Sequence, residues 1–305
     1  MVPWGFVVEH FDAVRPPRPA LSVPAAQFEY YGIPDGAIES LGDRLTSALN
    51  AVDGRGRVSL RLRCVELVST VEFYPARTSS DRGPRPLVLM TPPTQAGFAA
   101  RYLAERYARR GVHAAIVIPH ETYLETHLTP REIESKFREA AIAARVVVRA
   151  LAARDDADGD RLNYLGGSAG GIFGAVLLAV EPSIRRATLL LPGGNLQRII
   201  AASVEPTVVA YREAWRTRGV DTEALSAEIS SHVVTDPQRL ARYVNPGRVL
   251  IFLGASDTKV PVATGWALRR ALGGPETYVM AGNHDTAALC FGFVLRRIDA
   301  FFFEG

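Results

Sequence analysis

Hydrophobic positions follow two rhythms along this chain of 305 residues. Leu87-Val88-Leu89-Met90 is a continuous apolar run, the pattern of a short strand covered on both faces. Comparable runs recur at 112–118, 161–166, 187–191, 249–254 and 277–280. Between them the spacing turns helical, over 98–110 (closed by Gly111), 129–153, 169–180, 262–272 and 286–302. Thr129-Pro130-Arg131-Glu132 is a strong helix start, with Thr at the N-cap, Pro in the first position and Glu in the third. Upstream, Val58, Leu60, Leu62 and Cys64 alternate with polar residues, and 65–74 continues the pattern; this predicts an antiparallel pair at a sheet edge. Strands alternating with helices predict an α/β architecture, a mostly parallel sheet flanked by helices.

Two regions break the rhythm. Residues 1–50 carry Pro3, Pro16, Pro17, Pro19, Pro24 and Pro34, with one weakly helical stretch at 38–51, and read as an N-terminal extension. Residues 51–305 read as the main domain. Within it, about 195–245 is helix-rich and of mixed polarity, which predicts a helical cap inserted between two strands.

Composition narrows the partners. The hydrophobic fraction of 48% supports a substantial core. Net charge is only +3, and the 35 basic residues are spread among acidic ones, so neither nucleic acid nor a membrane surface is expected as a partner. Lys136 and Lys259 are the only lysines; the arginine excess reads as coding bias. No apolar stretch is long enough to span a membrane, and Met1–His10 lacks the features of a signal peptide, which gives a cytoplasmic expectation. Cys64 and Cys290 read as buried free thiols.

The candidate chemistry begins at Gly166-Gly167-Ser168-Ala169-Gly170, a G-x-S-x-G run between a predicted strand and a predicted helix. A turn this sharp strains the serine backbone and leaves room only for small residues two positions away on either side, while Gly174 lets the helix approach the sheet. A bare match also arises from a tight turn with an incidental serine; the flanking strand and helix favour a nucleophile. A serine hydroxyl needs a base, and His284 sits in the loop Ala281-Gly282-Asn283-His284-Asp285 after the last strand, unlike His10, His113, His120, His127 and His232. Asp257, in Ala255-Ser256-Asp257-Thr258-Lys259-Val260-Pro261, follows another strand and can orient that histidine; its plainer role is to cap the turn. Pro192-Gly193-Gly194-Asn195 offers no acid, and Asp285 adjoins the histidine too closely to orient it. His120, Glu121, Glu125 and His127 fit no zinc spacing and read as polar rim residues, with His120 or Glu121 near substrate.

Together the glycine-flanked serine, the Gly-Ala-Ser-Asp-Thr-Lys-Val-Pro loop and the Gly-Asn-His loop resemble the α/β-hydrolase superfamily over roughly residues 58–303, as in serine esterases, lipases and dienelactone-hydrolase-like enzymes. The resemblance implies an eight-stranded sheet, an inserted cap and an acyl-enzyme mechanism with Ser168, His284 and Asp257. It implies a small-molecule acyl substrate and no cofactor or metal. It also implies an oxyanion hole from the Ala169 N–H and one donor in the loop Thr91-Pro92-Pro93-Thr94-Gln95. There the chain departs from the family, because Pro93 falls at the donor position and has no N–H, so Thr94 or Gln95 must substitute. Two further readings stay open: a hydrolase-fold protein that binds without catalysis, and the same triad acting on thioesters, peptides or in acyl transfer.

Overall fold

Each continuous apolar run becomes a strand whose alternate side chains serve two cores. The computed structural model describes residues 7–15, 19–52, 56–64, 66–77, 83–92, 97–120, 123–286 and 291–304. In chain order the elements are β1 (Val7–Phe11), α1 (Ala25–Tyr30), α2 (Ala37–Asn50), β2 (Val58–Cys64), β3 (Leu67–Tyr74), β4 (Arg85–Thr91) and α3 (Gly97–Arg109). Then come β5 (His113–Pro119), α4 (Pro130–Ala152), β6 (Ala157–Gly167), α5 (Ala169–Val180) and β7 (Arg186–Leu190). Four helices follow, α6 (Leu196–Ala202), α7 (Pro206–Thr217), α8 (Thr222–His232) and α9 (Pro237–Leu240). The chain returns to the sheet with β8 (Val249–Gly254), α10 (Val262–Ala271), β9 (Glu276–Met280) and α11 (Phe291–Phe303).

The strands form one sheet in the order β1-β9-β8-β7-β6-β4-β5-β3-β2. Its six middle strands, β4 to β9, are parallel. β3 and β2 add antiparallel at one edge, as the alternating pattern predicts. Leu87 and Leu89 of β4, like Ile251 and Leu253 of β8, face the core under α2, α4, α5 and α10. Val88, Met90, Leu250 and Phe252 face the opposite core, under α3 and α11. Period-two geometry thus turns an unbroken apolar run into two buried faces.

Among the described residues the sheet has nine strands where eight were expected. The additional strand is β1, drawn from the proline-rich first fifty residues, and it pairs antiparallel with β9, Phe11 opposite Thr277 and His10 opposite Tyr278. Its own sequence carries no apolar periodicity; tertiary partners hold it instead. His10 stacks on Tyr278 at 4.2 Å, and Phe11 meets Trp266 edge-on at 5.0 Å. α2 lays Leu41, Leu45 and Leu49, one helical stripe, against the core. Residues 7–50 are therefore built into both the sheet and its helical layer wherever they are described.

Helix α4 starts as its sequence predicts. Glu132 N–H donates to Thr129 Oγ1 at 3.3 Å, and Thr129 N–H donates to Glu132 Oε2 at 2.7 Å. The stretch between β7 and β8 is helical, with α6, α7 and α8 gathered over a third apolar cluster that includes Phe137 of α4 and Ile172 of α5. Among the described residues no helix is long and apolar enough to cross a membrane. Cys64 ends β2, and Cys290 lies outside the described residues.

One buried charge knits the N-terminal segment to the helical layer. Glu181, directly after α5, is fully buried and accepts from Arg145 Nε at 3.2 Å and Arg149 Nε at 3.1 Å. Arg145 also donates to the Tyr31 carbonyl. Removing the carboxylate strands the buried Arg145 guanidinium. Glu181→Ala should therefore cost about 3–5 kcal/mol, read from urea unfolding; a loss too small to measure would contradict this account.

Candidate active site

The C-terminal ends of the parallel strands bring the sequence-predicted loops to one edge. β6 delivers Ser168, which takes φ 54° and ψ −117° before α5 begins. A non-glycine residue at positive φ is strained by about 1–3 kcal/mol, so its surroundings must hold it. Ser168 N–H donates to the Leu190 carbonyl at 2.8 Å, and Ile172 N–H to the Ser168 carbonyl at 2.9 Å.

Glycine is needed here for space. A Cβ on Gly170 would collide with the Thr91 carbonyl, and one on Gly166 with the Gly170 carbonyl. A Cβ on Gly174 would strike the Tyr164 ring and lie 2.7 Å from Leu189 Cδ2. The steric expectation read from the motif therefore holds at all three positions. Tyr164 locks the turn from beneath: its buried hydroxyl donates to the Gly170 carbonyl at 2.7 Å and is hydrogen-bonded to Thr91 Oγ1. Burial pushes the Tyr164 hydroxyl pKa well above the usual phenol range.

Asp257 and His284 meet. His284 Nδ1 is 2.7 Å from Asp257 Oδ2, and the aspartate is 4% exposed. Asp257 Oδ1 also accepts the Val260 N–H at 3.0 Å, so the plainer turn-capping role is fulfilled by the same side chain. The two loops are tied directly, Ser256 N–H donating to the Gly282 carbonyl at 3.0 Å. Asn283 Oδ1 accepts from the N–H groups of Asp285 (3.1 Å) and Thr286 (3.0 Å), folding the histidine loop into a tight turn.

Ser168, Ala169 and His284 line one cavity of about 360 Å³. Among the described residues no hydrogen bond joins Ser168 to His284. As the first residue of α5, Ala169 directs an N–H without an intrahelical acceptor toward the cavity end of the helix. Thr94 and Gln95, expected to give the second oxyanion donor, lie outside the described residues, as do Pro93 and Glu121. His120 is turned away, its Nε2 2.6 Å from Thr70 Oγ1, and it is not among the cavity residues. Among the described residues no group of three or more His, Cys, Asp and Glu side chains is placed to hold a metal ion.

Three cavity residues escaped the sequence reading. Lys259 Nζ sits 2.8 Å from Asp285 Oδ1 and 3.8 Å from Glu205 Oε2, and its hydrogen bond to Asp285 raises its pKa. The signal was its rarity in an arginine-rich chain, which reads as coding bias until the position is seen. Glu205 stands at the start of α7 and carried no signal. Tyr123 packs on Phe137 with ring centroids 5.0 Å apart and lines both the Ser168 cavity and a smaller one beside Thr91, Pro92, Ala169 and Gly170. Burial raises its hydroxyl pKa, and among the described residues that hydroxyl has no hydrogen-bond partner.

No family model matches the chain, and no curated protein matches it. Solved structures do. Acetyl xylan esterase from Paenibacillus sp. R4 is 14% identical with a TM-score of 0.58, covering 91% of this chain and 99% of that one. Acetyl xylan esterase 1 from Thermoanaerobacterium sp. JW/SL YS485 is 15% identical with a TM-score of 0.59, covering 90% and 99%. The alpha/beta hydrolase GrgF from Penicillium sp. sh18 is 13% identical with a TM-score of 0.52, covering 81% and 98%. Likeness at such identities is a likeness of fold.

The close approach at the elbow has a direct test. Gly170→Ala forces a methyl group into the Thr91 carbonyl and should destabilise the protein by about 1–3 kcal/mol, seen as a lower thermal midpoint. An unchanged midpoint would mean that α5 does not depend on that contact.

Proposed function

Because this chain has the α/β-hydrolase fold, we propose that it is a serine hydrolase cleaving a carboxylic ester or related acyl bond. The observation that carries the reading is the 2.7 Å contact between the His284 ring and the buried Asp257 carboxylate, on the wall of the cavity that Ser168 enters. With Nδ1–H held by Asp257, His284 presents Nε2 as a base.

The chemistry then runs in two steps. Ser168 Oγ attacks the acyl carbon, its proton passes to His284 Nε2, and the carbonyl electron pair moves onto oxygen. Collapse of that intermediate expels the alkoxide, which takes the proton back from His284. Water repeats the sequence on the acyl-serine and releases the acid. The Ala169 N–H serves the oxyanion, helped by the positive end of α5. Thr94 or Gln95 is one source of a second donor. The Tyr123 hydroxyl is another, favoured by the place of Tyr123 in the lining of both cavities that Ala169 borders. Helices α6 to α8 act as a cap over the acyl group.

A second reading, ligand binding without catalysis, is favoured by the missing Ser168–His284 bond. Contacts of this kind commonly close only when substrate is bound, so labelling decides. Fluorophosphonate should label Ser168 stoichiometrically, and the Ser168→Ala variant should neither label nor hydrolyse p-nitrophenyl esters. Folded protein that stays unlabelled would favour the binding reading.

Two substitutions test the roles within the site. Asp257→Asn should lower kcat by about ten-thousandfold while the fold survives. Tyr123→Phe should lower kcat by about a hundredfold with little change in KM if its hydroxyl holds the oxyanion. An unchanged kcat would return that role to residues 94 and 95.

A further inference from the structure

The cavity names a class of acyl group. Resting on the serine-hydrolase reading above, we infer that the preferred substrate carries an uncharged, medium-length apolar acyl group, seated between the sheet-side helices and α6 to α8.

Away from Ser168, His284 and the charged rim, the walls are mainly apolar, with Thr207 as a polar residue among them. Phe137 of α4 and Ile172 of α5 form one side; Ile199 and Ile200 of α6, Val208 of α7 and Ile229 of α8 form the other. These residues also belong to the third apolar cluster, so the buried side chains that pack the helical segment also border the space. Apolar surface of this kind gains free energy when an apolar group displaces water from it. A cavity of about 360 Å³ falls in the range of small-molecule sites, about 300–1,000 Å³. It has room for an acyl chain longer than acetyl, and octanoyl is the length put to the test below.

Charge is confined to one end. Glu205, Lys259 and Asp285 border the cavity together, two carboxylates against one ammonium, beside His284. Lys259 is already engaged by Asp285, so it does not offer an acidic substrate a free cation. An acyl chain ending in carboxylate would carry its charge into the apolar end of the cavity, away from the one ammonium. The geometry therefore selects against anionic acyl groups as well as very short ones.

The test is a series of p-nitrophenyl esters from acetate to dodecanoate, together with the mono-p-nitrophenyl ester of suberic acid. The expected kcat/KM rises about fourfold per methylene up to octanoate and then levels or falls. The anionic suberate ester should fall at least tenfold below octanoate. Acetate equal to octanoate, or suberate equal to octanoate, would overturn the inference. Val208→Trp should lower the octanoate-to-acetate ratio by tenfold or more by filling the space.

Binding gives a readout free of both catalysis and that variant's folding. On Ser168→Ala protein, octanamide should bind more tightly than butanamide by about fourfold for each added methylene. Length-ordered binding with no labelling of the native enzyme by fluorophosphonate would overturn the hydrolase reading and uphold the acyl site. Labelling with no length dependence in binding would overturn the acyl site alone.

Discussion

Everything at this sheet edge depends on how closely the first turn of α5 can approach β4 and β6. The Gly170 backbone lies against the Thr91 carbonyl with no room for a side chain, and Gly174 lies in the same way against Tyr164. That approach holds Ser168 at a positive φ and points the start of the helix into the cavity. Tyr164 makes the arrangement stable. Its hydroxyl bridges Thr91 and the Gly170 carbonyl, so the polar groups forced underground by the tight approach remain hydrogen-bonded. Strain at one residue is sustained because its neighbours are over-determined.

The second constraint is the parallel direction of the six middle strands. It sends the loops after β6, β8 and β9 to the same edge, so Asp257 and His284 meet, and Ser168 and His284 line one cavity, although they are far apart in sequence. Direction alone leaves the loops free to sway. The Ser256–Gly282 backbone bond and the Asn283 turn restrict that freedom and hold the His284 ring against Asp257.

Much of this was legible because it rests on local rules. Continuous apolar runs, the Thr129 capping box, and the glycines around Ser168 each have a short-range physical cause that a sequence displays. β1 was not legible. Val7–Phe11 becomes a strand because β9 offers a free edge and Tyr278 and Trp266 offer ring surfaces, and none of these is near in sequence. The cavity beside Ser168 was hidden for a related reason. An apolar face turned toward a space and one turned toward a core have the same pattern, so α6 to α8 showed only mixed polarity. Lys259 shows the reverse: its rarity was visible, but its meaning required the carboxylates of Glu205 and Asp285 to be brought beside it.

The helical segment is also anchored through α4 to the N-terminal segment. Tyr30 Oη donates to Glu134 Oε1 at 2.7 Å, and Glu134 Oε2 accepts the Thr235 N–H at 2.8 Å, just past α8. Tyr31 Oη lies 2.8 Å from Thr235 Oγ1. Burial raises the Glu134 pKa even against these hydrogen bonds. The first fifty residues thus reach the rear hinge of α6–α8, while Lys259 holds the front of the same segment near Glu205. A cavity wall built from helices with little sheet contact needs fastening at both ends if its apolar side chains are to stay apart rather than collapse. The N-terminal segment supplies the rear fastening, which gives a structural reason for a chain of this fold to carry residues ahead of its motif-bearing part.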